Sequence, residues 1–144
     1  MKSAPKKGDA LKNAQPGILA PIPRHARHLT FGLKQGVRPE AALRALAATA
    51  DGESCVVGLG AVLLFALQKR IEGLRPFPHH KGQGVDVPST PAAAWCWVRG
   101  KDRGEIVLRA RAIEKILAPA GALSEVVVFV NFSILPSKTL ILPS

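Results

Sequence analysis

In "RHARHLTFGL", Leu29, Phe31 and Leu33 fall on one side of an extended chain and His28, Thr30 and Gly32 on the other. That period of two predicts a half-buried strand. The period then lengthens. In "RPEAALRALAATADG", Leu43, Leu46, Ala47 and Ala50 recur at helical spacing, Pro39 suits the first turn, and Asp51-Gly52 stops the helix. "SCVVGLG" predicts a second short strand. "AVLLFALQKRIEG" predicts a helix with Leu63, Leu64, Leu67 and Ile71 turned inward and Gly73 just past its end.

"LRPFPHHKGQGVDVPSTP" carries too many prolines and glycines for regular structure and predicts a long surface loop. "AAAWCWVRG" predicts a third strand, with Trp95 and Trp97 on one face and Ala94, Cys96 and Val98 on the other. "KDRGEIVLRARAIEKILAPAG" is the clearest helix. Asp102 and Glu105 resemble a capping box, Ile106, Ala110, Ile113 and Leu117 form the apolar stripe, and Pro119 ends it. "ALSEVVVFVNF" predicts a fourth strand.

The order β-α-β-(α)-β-α-β predicts an α+β fold: a ferredoxin-like split βαβ sandwich, its antiparallel sheet carrying helices on one face. The predicted organisation is a flexible basic arm over 1–16, a ferredoxin-like domain over 17–132 and a loose tail over 133–144. No internal repeat or heptad pattern is present.

Composition refines this picture. At 144 residues, 47% of them apolar, the chain supports one core. The net charge of +10 permits a polyanionic partner. Lys2, Lys6, Lys7 and Lys12 of the arm supply part of it and the arginines are dispersed, which favours a basic solubilising surface and disfavours nucleic acid. No apolar segment follows the basic N-terminus as in a signal peptide, so a cytoplasmic location is expected. Cys55 and Cys96 lie in apolar runs without CxxC spacing and read as buried thiols. Val126 to Leu142 does not read as a membrane anchor. Asn131, Ser133, Pro136, Ser137, Lys138 and Thr139 interrupt the roughly 20 apolar residues a span needs.

Candidate chemistry is sparse. "GLGAVL" has the placing of a phosphate-binding turn, but Leu63 stands where its third glycine belongs, so a plain strand-to-helix turn is favoured. His25 and His28 diverge on a strand, and His79-His80 fall in the loop, so none reads as a metal ligand. Trp95 and Trp97 pack in the protein if they face the helices. If they face away they need a cover, whether nucleobases, a ligand or another sheet. Packing within protein is favoured. No GxSxG, HExxH or P-loop motif is present, and the ten acids are scattered.

"QPGILAPIPRHARHLTFGL", "VVGLG", "LRPFPHHKGQGVDVPSTPAAAWCWVRG" and "DRGEIVLRARAIEKILAP" follow one another in an order that resembles the N-terminal half of a dye-decolourising (DyP-type) haem peroxidase. The resemblance runs from about Ala14 to Glu125. It implies two ferredoxin-like halves in a longer chain, with haem b held mainly by the second half. The implied reaction is oxidation of dyes or phenols, with hydrogen peroxide and an organic reductant as partners. It also implies a GxxDG stretch after the fourth strand, bringing a distal aspartate, and a later arginine and proximal histidine. "VVVFVNFSILPSKTLILPS" after Glu125 contains neither acid nor glycine. No catalytic, cofactor-binding or metal residue is therefore assigned. The expectation is a truncated peroxidase half that binds no haem alone and self-associates through an uncovered sheet face. The alternative is a non-enzymatic basic module that binds nucleic acid or oligomerises.

Overall fold

The computed structural model describes residues 12–132. The basic arm up to residue 11 and the tail over 133–144 lie outside the described residues. In chain order the elements are α1 (Pro16–Leu19), β1 (His25–Leu33), α2 (Glu40–Thr49), β2 (Cys55–Leu59), α3 (Ala61–Ala66), β3 (His80–Gly82), β4 (Val85–Val87), β5 (Ala94–Gly100), α4 (Arg103–Leu117) and β6 (Gly121–Val130).

The main sheet has four strands in the order β2-β5-β1-β6, every neighbouring pair antiparallel. Each of the two long crossovers carries a helix, α2 and α4, and the chain has the ferredoxin-like fold expected of its element order. Leu29, Phe31, Cys55, Ala94, Cys96 and Val98 point to the helices and form one core with Leu46 of α2 and the α4 stripe. The stripe of Ile106, Ala110, Ile113 and Leu117 is wholly buried. Asp102 caps α4 by accepting a hydrogen bond from the Glu105 N–H at 2.7 Å.

Three local expectations are corrected. In α2 the buried residues are Ala42 and Leu46, with Ala47 exposed, because the helix meets the core along a narrower stripe than its periodicity allows. The helix from Ala61 does not reach Gly73. Gln68 takes φ 53°, the Lys69 N–H bonds to Leu64 O at 2.8 Å, and the chain leaves the helix one turn after Leu64. Ile71 is consequently exposed, with no core beneath it. The proline-rich stretch is not wholly irregular either. β3 and β4 pair as a small exposed hairpin, Lys81 opposite Asp86, across a turn where Gly84 has φ +76°.

Gly60 explains itself by contact. A Cβ there would lie 1.8 Å from the Ala92 carbonyl oxygen, and the Gly60 N–H bonds to Ala93 O at 2.9 Å. The glycine after β2 serves close approach of two backbones, not a phosphate.

Candidate functional site

The sheet face away from the helices is the candidate site. Alternation along the strands puts Ala26, His28 and Thr30 of β1 there, with Val56 of β2, Trp95, Trp97 and Arg99 of β5, and Val127 and Phe129 of β6. The two tryptophans thus face away from the helices. Small Ala94, Cys96 and Val98 lie beneath α2 and α4, where there is little room for an indole.

The register sets His28 opposite Trp97 and Thr30 opposite Trp95. The His28 ring stacks on Trp95 at 5.3 Å between centroids and on Trp97 at 5.7 Å, with interplanar angles of 27° and 13°. The Arg99 guanidinium carbon lies 4.5 Å from the Trp97 ring centre. The Trp95 and Trp97 centroids are themselves 6.4 Å apart and their planes tilted by 36°, so His28, Trp95 and Trp97 form one three-ring aromatic cluster across β5 and β1, with Arg99 against Trp97. Burial lowers the His28 pKa from its ordinary value, which favours the neutral ring.

One end of this face is covered by the chain before β1. Gln15 donates its amide to Val57 O at 2.7 Å and accepts the Val57 N–H at 2.9 Å, as an extra strand would. Gly17 follows and bonds through its N–H to Gly52 O at 2.8 Å. A Cβ at Gly17 would stand 2.6 Å from both Glu53 O and a Val56 methyl, so only glycine fits. Buried Arg99 then donates to the carbonyl oxygens of Gly17 and Pro21. These contacts give "QPGIL" a physical meaning: it docks the chain onto β2 and over Arg99. Trp97 Nε1 is buried with no partner among the described residues.

The other predicted residues are not brought together. His25 opens β1 on the helix side, opposite to His28. His79 pairs with Asp86 at 2.5 Å, and His80 lies edge-on to Phe77, both in the exposed hairpin region. No group of three His, Cys, Asp or Glu among the described residues is placed to hold a metal. Cys55 and Cys96 are free and buried in the helix-side core. Their thiols hydrogen-bond, which pulls Cys55 down, while that bond and burial push Cys96 up.

These residues do not fit haem. An axial ligand must stand over a cavity open to the macrocycle. The His28 ring packs against both indoles, and the thiols lie in the core. The space between sheet and helices beside Phe31, Leu63 and Leu117 is about 20 Å³. Outside, the clefts beside Trp95 (about 310 Å³) and beside Arg99 (about 760 Å³) are open grooves without a free imidazole.

Sequence reasoning had placed both tryptophans on one face but missed Arg99 and the role of His28. The signal was present: an arginine directly after an apolar strand core, and a histidine in phase with it on the neighbouring strand.

No protein-family model matches the chain, and no curated protein does. Solved structures do. The encapsulated DyP-type peroxidase of Mycobacterium smegmatis matches with TM-score 0.66 and 18% identity, over 83% of this chain and 42% of that one. The dye-decolorizing peroxidase of Bacteroides thetaiotaomicron matches with TM-score 0.62 and 16% identity, over 80% and 42%. DyPB from Rhodococcus jostii RHA1 matches with TM-score 0.64 and 20% identity, over 79% and 42%. The chain therefore shares the fold of one part of the DyP-type peroxidases, and it spans less than half the length of those it matches.

Proposed function

We propose that this chain corresponds to the N-terminal, ferredoxin-like half of a DyP-type haem peroxidase, and that alone it does not catalyse peroxide-driven oxidation. The observation that carries the reading is the unfilled sheet face in a fold shared with less than half of each peroxidase. A second ferredoxin-like half would bring the remaining cover, the haem and its axial histidine. Rhodococcus jostii variants are solved in complex with heme; in this chain no described residue is set to ligate it. The missing GxxDG after β6 supports inactivity, since distal polar groups separate peroxide binding from its cleavage. Hydrogen peroxide and an organic reductant are the partners of the assembled enzyme in this reading. Two free thiols suit a cytoplasmic location, and no described helix is long and apolar enough to cross a membrane. Self-association of the isolated chain through its uncovered surface belongs to the same reading.

The test is direct. The purified chain titrated with haemin should show no protein-bound Soret band and no peroxide-dependent dye oxidation above free haemin. Either signal overturns the claim of inactivity.

A nucleic-acid module is the competing reading, and the packing of the rings opposes it. Base stacking requires free ring faces, whereas His28, Trp95 and Trp97 already pack against one another. Salt-dependent binding of single-stranded RNA or DNA would reinstate that alternative.

A further inference from the structure

Among the described residues β6 is the outer strand of the sheet and pairs only with β1. Its irregularity is confined to the start, where the register shifts between Thr30 and Phe31; from Glu125 to Val130 the ladder is regular. The Asn131 N–H bonds to Arg24 O at 2.8 Å, so by the alternation of an antiparallel strand Phe129 and Val127 also turn their backbone groups to β1. Val126, Val128 and Val130 turn theirs outward. Among the described residues those outward groups form an unfilled row, on a strand whose residues 126–130 are all exposed and apolar.

Natural edges are usually protected by lysine, proline, a bulge or a covering segment. Between Val126 and Val130 this edge has no charge, no proline and no bulge. β6 carries one charged side chain, Glu125, in a chain of net charge +10. Two copies therefore meet along Val126 to Val130 without opposing like charges on the strand itself. The geometry is also self-complementary. A two-fold axis through Val128 sets Val128 opposite its own copy and Val126 opposite Val130, so all three outward residues meet outward partners. On the open face it sets Phe129 of each copy over Val127 of the other.

We propose that the β6 edge is an interaction surface for a second copy of this chain. Two sheets join antiparallel about Val128 into one continuous sheet, with all helices on one side and both aromatic clusters on the other. This sharpens the self-association proposed above by placing it at the strand edge, not across the sheet face. Five paired residues from each copy bury little area, below the roughly 1,200 Å² of standard interfaces, so the dimer is concentration-dependent.

Light scattering and amide exchange on the full chain test it. The expected result at high concentration is a species of twice 15.3 kDa with slowed exchange at Val126, Val128 and Val130. Val128→Pro removes only an outward N–H and leaves the β1 ladder intact. Val128→Lys faces its own charge across the axis. Both variants return the mass to a monomer with unchanged circular dichroism, and Val128→Lys keeps the test valid should the proline variant fail to fold. Trp95→Gln strips apolar area from the open face two strands away from β6 and leaves the edge dimer standing.

A dimer that survives both Val128 variants, or that is lost in Trp95→Gln alone, places association on the face and overturns the edge proposal while leaving the peroxidase reading untouched. A monomer whose three amides exchange freely overturns it as well. So does a monomer whose amides become exchangeable only after removal of residues 133–144, since the chain's own terminus is then the occupant.

Discussion

His28 and Trp97 stand directly opposite one another on β1 and β5, and their rings stack 5.7 Å apart with planes 13° from parallel. The imidazole gives up solvation to make this contact, and its pKa falls from the ordinary 6.5. Between the lowered folded value and 6.5, the unfolded chain binds more protons than the folded one. The contribution of neutral His28 is therefore complete above pH 6.5 and is lost as pH falls through the folded value. The urea midpoint should be lower at pH 5 than at pH 7.5, and His28→Phe should shrink that difference. A pH dependence identical in the variant would exclude His28 as its source.

Arg99 ties two parts of the chain far apart in sequence. Its guanidinium lies against Trp97 and donates to Gly17 O and Pro21 O, holding the segment before β1 over the sheet. Hydrogen bonds to charged groups contribute about 1.5–3 kcal/mol each. Arg99→Met should destabilise the fold by about 3 kcal/mol and release the segment around Pro21 to limited proteolysis. Exposed Arg24→Met should change neither readout, so equal protection in both variants would count against the strut.

Gly60→Ala places a methyl carbon 1.8 Å from the Ala92 carbonyl oxygen, so the backbone at one end of β5 must move. Overpacking of this kind costs about 1–3 kcal/mol. Gly82→Ala meets nothing within 4 Å and should be close to neutral. Thermal unfolding of the pair reads the difference directly. Equal melting temperatures would show that the approach of β2 to Ala92 is looser than the contact described.

How much of this was legible depends on whether a signal was local. Helix α4 carries its own start, stripe and stop, and Asp102, Ile106, Ala110, Ile113 and Leu117 all behave as their spacing predicts. Helix α3 shows the opposite case. The apolar spacing continues to Ile71, yet the helix ends at Ala66, because Leu63 and Leu64 reach the core and Ile71 finds none. The small hairpin around Gly84 was hidden by the prolines flanking it. The aromatic cluster is intermediate: alternation shows that Trp95 and Trp97 share a face, but only the register of β1 against β5 brings His28 against both. Arg99 depends on Gly17 and Pro21, some eighty residues away, and no local pattern announces such a contact.

Cys55 and Cys96 offer a measure of how firmly the helix side is closed. Both belong to the core cluster, Cys55 2% exposed and Cys96 0%. Thiol reagents attack the thiolate and need access to sulfur. Alkylation in native buffer should therefore be slow at both sites, and its rate should rise with urea in step with opening of the core. Within an opened population the two should react alike, since the hydrogen bond that separates their acidities is lost with the fold. Fast labelling of Cys55 alone, insensitive to urea, would mean that the β2 edge opens by itself and that Gln15 does not hold Val57 as the structure shows.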